Sequence, residues 1–161
     1  TATTVASDYT PAEVYSGLRG QVLALKPGDL GLQDPKPFAV LMETGYDEAV
    51  ATLVVIADGT TSLYFSNGGG IIGAGQHAPV QKVSSEFLNN VAGVANRLSP
   101  TTDFPLPNRG RVRFYLLSTD GIRTAEASEQ DLGHNRHDLS PMFRKAHEVI
   151  TAVRENAPAG H

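Results

Sequence analysis

The 161-residue sequence contains no cysteine. This absence excludes a disulfide framework, a thiolate nucleophile and a cysteine-ligated metal, and it is compatible with any redox compartment. A chain of this length can bury a sufficient core without such crosslinks, so we expect one domain over residues 1–161 with flexible termini at 1–8 and 157–161. The sequence implies neither a bound metal nor another cofactor.

Long apolar segments and excess positive charge are also missing. The longest apolar run spans about nine residues, fewer than the ~20 that a membrane helix requires, and the amino terminus lacks a basic-then-apolar signal pattern. We therefore expect a soluble cytoplasmic protein without a membrane partner. Thirteen basic residues against seventeen acidic ones give a net charge of −4, which disfavours nucleic-acid binding.

Apolar segments joined by Asp-Gly pairs predict two β-hairpins. An Asp-Gly pair between two apolar runs is a strong local signal for a tight turn between antiparallel strands. The segments are residues 49–57 and 60–66 around Asp58-Gly59, and residues 111–118 and 122–127 around Asp120-Gly121. A shorter apolar run at residues 38–43 precedes the first hairpin, so the first three strands form an antiparallel meander.

Apolar residues spaced three or four apart predict three helices. The first follows a Thr10-Pro11-Ala12-Glu13 capping box and carries an apolar stripe of Val14, Leu18, Val22 and Leu25. The second spans residues 79–98, and the third runs from Ser140-Pro141 to Val153. The order αβββαββα groups strands in hairpins and places helices between the groups. It predicts an α+β fold with a single antiparallel sheet of about five strands packed against three helices.

A glycine-rich segment joins the first hairpin to the second helix. Glycines permit positive φ and close backbone approach, and free N–H groups at a helix start attract anions. The candidate ligand-binding residues are Asn67, Gly68, Gly69, Gly70, Gly73, Gly75, Gln76 and His77. The alternative is an edge strand or bulged turn whose glycines satisfy backbone geometry alone. The formal G-x-G-x-x-G match is not a dinucleotide fingerprint, because the surrounding strands are predicted to be antiparallel.

Two other polar groups are candidates for function. Arg111 and Arg113 alternate along one strand and could bind a carboxylate or phosphate, although a charged outer strand face is the commoner reason for such a pattern. His134 and His137 show H-x-x-H spacing in a polar loop without a helical frame, which favours a solvated loop over a zinc site. No residue is assigned a catalytic role.

Two functional hypotheses from different classes follow. The first is a non-enzymatic binding or regulatory module that forms a homodimer or binds another protein. It rests on the lack of a complete catalytic motif and on Tyr115 and Leu117, which we expect on an exposed apolar side of their strand. The alternative is a small enzyme that acts on an anionic or phosphorylated metabolite through residues 68–75 and His77. The sequence does not decide whether the protein is an enzyme.

Overall fold

The computed structural model describes residues 12–26, 37–57, 59–71, 77–119 and 121–156. Both predicted flexible termini lie outside the described residues. So do Thr10 and Pro11 of the predicted capping box, Asp58 and Asp120 of the two hairpin turns, and residues 72–76 of the glycine segment.

The part of the chain that the structure describes contains seven strands in one antiparallel sheet. The strands are β1 (Ala39–Gly45), β2 (Val50–Ile56), β3 (Thr61–Phe65), β4 (Gly70–Ile71), β5 (Ser99–Pro100), β6 (Arg111–Ser118) and β7 (Gly121–Ser128). Their order in the sheet is β4-β3-β2-β1-β6-β7-β5. The predicted α+β class with a single antiparallel sheet is confirmed. The sheet has more strands than predicted because β4 and β5 are pairings of two residues each, too short to create an alternating apolar pattern.

The hairpins connect as the apolar segments predict. β1, β2 and β3 form the antiparallel meander, and β1 also pairs with β6, so the second hairpin continues the same sheet. Gly59 and Gly121 have φ of +98° and +125° at the two turns. Side chains of L residues rarely adopt this conformation, which explains the glycine at each turn.

Among the described residues, four α-helices accompany the sheet, one more than predicted. They are α1 (Glu13–Leu23), α2 (Ala78–Val94), α3 (Glu129–Gly133) and α4 (Ser140–Glu155). α3 lies where a polar loop was expected, and the Ser128 hydroxyl accepts a hydrogen bond from the Asp131 N–H at 3.0 Å to cap it. A helix of five residues is too short to show an apolar period. None of the described helices is long and apolar enough to cross a bilayer.

Helices cover both faces of the sheet. We call the face under α2 and α4 the helix-pair face and the opposite one, under α1, the α1 face. The helix-pair face has an apolar core built from Val40, Met42, Leu53, Val55, Val112, Phe114, Leu116, Val80, Phe87, Val91, Met142 and Val149. The α1 face combines Leu41, Val54, Ile56, Tyr115 and Leu117 with Tyr15, Val22, Phe104 and Leu106.

The expectation of an exposed apolar side on β6 is wrong. Tyr115 and Leu117 are 0% and 1% exposed, because α1 and the segment after β5 cover that side of the strand. The alternating pattern shows which side chains share a face, but it does not show whether a second helix covers that face.

Candidate functional site

The described part of the glycine segment is a hairpin turn followed by an edge strand. The Phe65 N–H donates to the Gly69 carbonyl and the Gly68 N–H to the Phe65 carbonyl, each at 2.9 Å. Gly68 has φ of +106°. Gly70 lies so close to β3 that a Cβ would sit 2.8 Å from the Leu63 carbonyl oxygen. Gly68 and Gly70 therefore serve backbone geometry, whereas Gly69 has neither constraint.

Asn67 and His77, the other described candidates of this segment, do not form a pocket with these glycines. The exposed Asn67 has its Oδ1 3.4 Å from the Gly69 N–H. His77 is exposed at the N-cap position of α2, where its side chain makes no capping hydrogen bond. Gly73, Gly75 and Gln76 lie outside the described residues. Ligand binding by this segment stays a prediction.

Arg111 and Arg113 share a carboxylate supplied by the chain itself. Arg111 Nη2 lies 3.4 Å from Oε1 of Glu126, and Arg113 Nη2 lies 3.5 Å from Oε2 of the same residue. Arg113 and Glu126 are direct cross-strand partners on β6 and β7. An external anion would therefore compete with Glu126 for both guanidinium groups.

The histidine loop between α3 and α4 is built from capping contacts. The His134 N–H donates to the Gln130 carbonyl at the end of α3. The His137 Nδ1 accepts from the Leu139 N–H at 3.0 Å just before α4 begins. Among the residues that the structure describes, no three His, Asp or Glu side chains converge as metal ligands would.

A buried ion pair on the α1 face is the feature that sequence reasoning missed. Glu43 of β1 is 0% exposed, and Arg19 of α1 binds it with both ends of its guanidinium. Arg19 Nε lies 2.7 Å from Oε2 and Nη2 lies 2.9 Å from Oε1. The Thr52 hydroxyl donates to Glu43 Oε2 at 3.0 Å, and the Tyr15 hydroxyl is 2.7 Å from Thr52 Oγ1.

Two further groups complete the surroundings of this guanidinium. Arg19 Nη2 also donates to the Phe104 carbonyl at 2.8 Å, and the guanidinium carbon lies 5.6 Å from the centre of the Tyr115 ring. We call the groups around it the arginine socket: the Glu43 carboxylate, the Thr52 hydroxyl that donates to it, the Phe104 carbonyl and the Tyr115 ring. The socket provides a bidentate carboxylate, a third acceptor and a cation–π surface, which together match a guanidinium.

The protonation states in the socket follow from burial and from the Glu43 charge. Burial opposes the charged form of Arg19, but the Glu43 carboxylate outweighs it and raises the pKa of the guanidinium. Burial, followed by the same carboxylate, raises the pKa of Tyr15 and of Tyr115. Both phenols are therefore neutral hydrogen-bonding groups at physiological pH.

The sequence carried a partial signal for this ion pair. Glu43 is a charged residue at the end of an apolar strand segment, and Arg19 is four residues after Tyr15 on α1. Of the predicted apolar stripe of this helix, Val22 is buried and Leu18 and Leu25 pack against the α1-face cluster. Only Val14 was misplaced, since it is 57% exposed whereas the neighbouring Tyr15 is buried. A stripe drawn through Tyr15 would have placed Arg19 next to it on the inner side of the helix.

An open groove of about 680 Å³ runs along α4 on the outer side of the helix pair. Pro79 and Val83 of α2 line it on one side, and Phe143, His147 and Ala152 of α4 line it on the other. Outward-facing residues of α4 at spacings of four, three and four also line this groove: Arg144, Glu148, Thr151 and Glu155. We call these four residues the α4 stripe.

His147 lies within this groove and is partly buried. Its ring packs edge-on against Phe143 with 4.4 Å between ring centres, and its Nε2 is buried without a hydrogen-bond partner in the described chain. Burial and then the nearby Arg154 lower the pKa of His147, so the imidazole is neutral at physiological pH.

No protein-family model matches this chain, and no similar protein was found among curated proteins or solved structures.

Proposed function

We propose that this protein is a non-enzymatic binding module that forms a homodimer through the groove along α4. The observation that carries the proposal is the charge order of the α4 stripe. Arg144 and Glu155 are equally distant from the midpoint between Val149 and Ile150, and they carry opposite charges. A symmetric dimer needs a surface that complements itself, and this stripe meets that condition.

The two-fold arrangement specifies the contacts. When two α4 helices cross antiparallel about that midpoint, Arg144 of each copy faces Glu155 of the other, and Glu148 faces Thr151. Opposite charges at both ends set the register and disfavour the parallel alternative, which would place like charges together. The apolar side chains of the groove that are at least partly exposed, among them Pro79 and Val83, supply buried area to the interface.

The internal pairing of the other candidate groups supports a binding role over catalysis. Glu126 forms ion pairs with Arg111 and Arg113, and Arg19 forms one with Glu43. A catalytic acid or base needs access to a substrate proton, and Glu43 is fully buried beneath α1. The metabolite-enzyme alternative therefore depends on His77 and on the glycine segment at residues 68–75. Residues 72–75 of that segment lie outside the described part of the chain.

Light scattering coupled to size-exclusion chromatography at several concentrations tests the dimer. We expect the wild type to dimerise. Both Arg144→Glu and Glu155→Arg should shift it to monomer, because each variant puts like charges at the two symmetry-related contacts between positions 144 and 155. The double variant Arg144→Glu/Glu155→Arg restores opposite charges and should dimerise again. Lys82→Glu changes an exposed charge of α2 that does not line the groove and serves as the control.

Two results would overturn the proposal. One is a wild type that stays monomeric at all concentrations, and the other is a dimer that the single charge reversals leave intact.

A thermal-shift screen of nucleotides, sugar phosphates and carboxylates addresses the enzyme alternative, since a ligand at 100 times its Kd stabilises a protein by about 2.7 kcal/mol. A stabilising anion whose effect Gly69→Ala or His77→Ala abolishes would favour the enzyme.

A further inference from the structure

We infer that the arginine socket is a binding site for an arginine side chain of a partner polypeptide, and that α1 is an internal ligand that occupies it through Arg19. This inference concerns the α1 face and does not depend on a dimer through α4.

The socket is built by elements other than α1. Glu43 belongs to β1, Thr52 to β2 and Tyr115 to β6, while the Phe104 carbonyl comes from the segment between β5 and β6. Glu43 and Thr52 are direct cross-strand partners, so the sheet register itself holds the carboxylate in place. A guanidinium satisfies both carboxylate oxygens and a third acceptor in one plane, whereas an ammonium group does not reproduce that fork.

The buried carboxylate makes an empty socket unfavourable. Glu43 is 0% exposed, and its cationic partner is Arg19. Because Glu43 lies beneath α1, departure of the helix would uncover the carboxylate and remove its cation, which favours entry of another cation of the same shape. The site is therefore selective for guanidinium, and its occupant need not belong to the same chain.

α1 has little intrinsic stability as a helix. It has 11 residues, no side-chain hydrogen bond at its N-cap and no basic residue in its last turn. Gly17 and Gly20 lie within it, and an added Cβ at either would meet no atom within 4 Å, so packing does not require these glycines. Isolated helices of this length are marginal, and glycine in a helix interior weakens them further. α1 therefore depends on its docking contacts to remain helical.

The side chains of α1 that enter the site define the class of ligand. Tyr15 and Val22 are its buried residues, and Leu18 packs against the same cluster beside Arg19. This spacing, an aromatic residue four positions before an arginine and an aliphatic residue three positions after it, describes one face of an amphipathic helix. The ligand we infer is an arginine-bearing amphipathic segment with this pattern.

Fluorescence anisotropy with a labelled synthetic peptide of residues 12–26 tests this inference on the full chain. Arg19→Ala and Val22→Ala each weaken the internal ligand and leave Glu43, Thr52 and Tyr115 unchanged. We expect both variants to bind the peptide about tenfold or more tightly than the wild type does, because the fraction of open socket increases. A peptide with Arg19→Lys should bind both variants more weakly.

Equal affinity of the wild type, Arg19→Ala and Val22→Ala for the peptide would overturn the inference. Equal affinity of the two variants for the unchanged peptide and for its Arg19→Lys form would overturn it as well. The Val22→Ala variant retains the ion pair and remains informative if Arg19→Ala does not fold.

If Arg19→Ala folds, chemical rescue of this variant gives an independent readout. We expect ethylguanidinium, but not ethylammonium, to raise the melting temperature of Arg19→Ala relative to wild type in the same solution. The same response to both cations would contradict a guanidinium site.

Discussion

Helices cover both faces of the sheet, but they are held there by different chemistry. α2 and α4, of 17 and 16 residues, bury a large apolar core on the helix-pair face. α1, of 11 residues, covers the opposite face with two buried apolar side chains and an ion pair to Glu43. The helix-pair face depends on apolar area, whereas the α1 face adds a matched guanidinium and carboxylate to a smaller set of apolar contacts.

This difference separates the contribution to folding stability from the selectivity for a binding partner. Buried apolar area contributes roughly 25 cal/mol per Å² and tolerates many side chains of similar volume. A buried ion pair contributes little net stability because desolvation offsets the attraction, yet loss of one partner is costly. We therefore expect the helix-pair face to hold the domain together and the α1 face to choose what binds there. Five measurements test that contrast.

The largest effect should come from removal of one partner of the buried pair. Arg19→Met leaves the Glu43 carboxylate without its cation, and we expect the free energy of unfolding to fall by about 3–5 kcal/mol in urea titrations. Adding Glu43→Leu removes the stranded charge and should recover most of that loss. Arg97→Ala, which removes an exposed pair with Asp138, should cost no more than about 1 kcal/mol. A double variant as unstable as Arg19→Met alone would contradict this account of the α1 face.

A smaller loss of folding stability is expected at edge strand β4, where the contact at issue is with β3 and not with a helix. Gly70→Ala places a Cβ 2.8 Å from the Leu63 carbonyl oxygen, so the strand must shift. We expect a loss of roughly 1–3 kcal/mol in thermal unfolding. Gly69 has ordinary backbone geometry, and a Cβ there would make ordinary van der Waals contacts at 3.8 Å with Asn67 and Phe65, so Gly69→Ala should stay within about 0.5 kcal/mol of wild type. Equal effects of the two variants would refute the assigned geometry of this turn.

Glycine replacement within α1 should have the opposite sign. Gly17→Ala and Gly20→Ala meet no neighbouring atom and favour the helical state, so each should raise the free energy of unfolding by about 0.5–1 kcal/mol. Gly93→Ala in α2 meets open space as well and provides a matched control on the helix-pair side. Destabilisation by the α1 variants, with a gain from Gly93→Ala, would mean that the glycines of α1 have a packing role.

The smallest effect concerns His147 on the outer side of the helix pair. Burial lowers its pKa below the ordinary value near 6.5, so the unfolded chain binds a proton more readily than the folded one. His147 should therefore have no effect on stability well above pH 6.5 and should reduce stability as the pH falls through and below 6.5. His147→Gln should reduce the slope of melting temperature against pH over that window. An unchanged slope would mean that His147 protonates equally in both states.

The sequence predicted the parts of this fold that repeat over several residues. The meander, the second hairpin, α2 and α4 each extend over enough residues for the period of two or 3.6 to appear. β4 and α3 are too short for either period. The socket was missed for another reason: Arg19 and Glu43 are 24 positions apart and meet through tertiary packing, which no local pattern encodes. Tyr115 was placed on the correct face of β6, but the cover that α1 provides was not foreseen.

Native-state hydrogen exchange by NMR tests the central contrast most directly. If α1 is a separable ligand of the sheet, its amides should exchange through a local opening of lower free energy than that of amides in β2, β6 and α4. The amides of α1 should then respond weakly to low denaturant concentrations, while those of the sheet and α4 report global unfolding. Exchange of α1 at the same free energy and with the same denaturant dependence as β2 and α4 would contradict the account, because α1 would then be an inseparable part of the core.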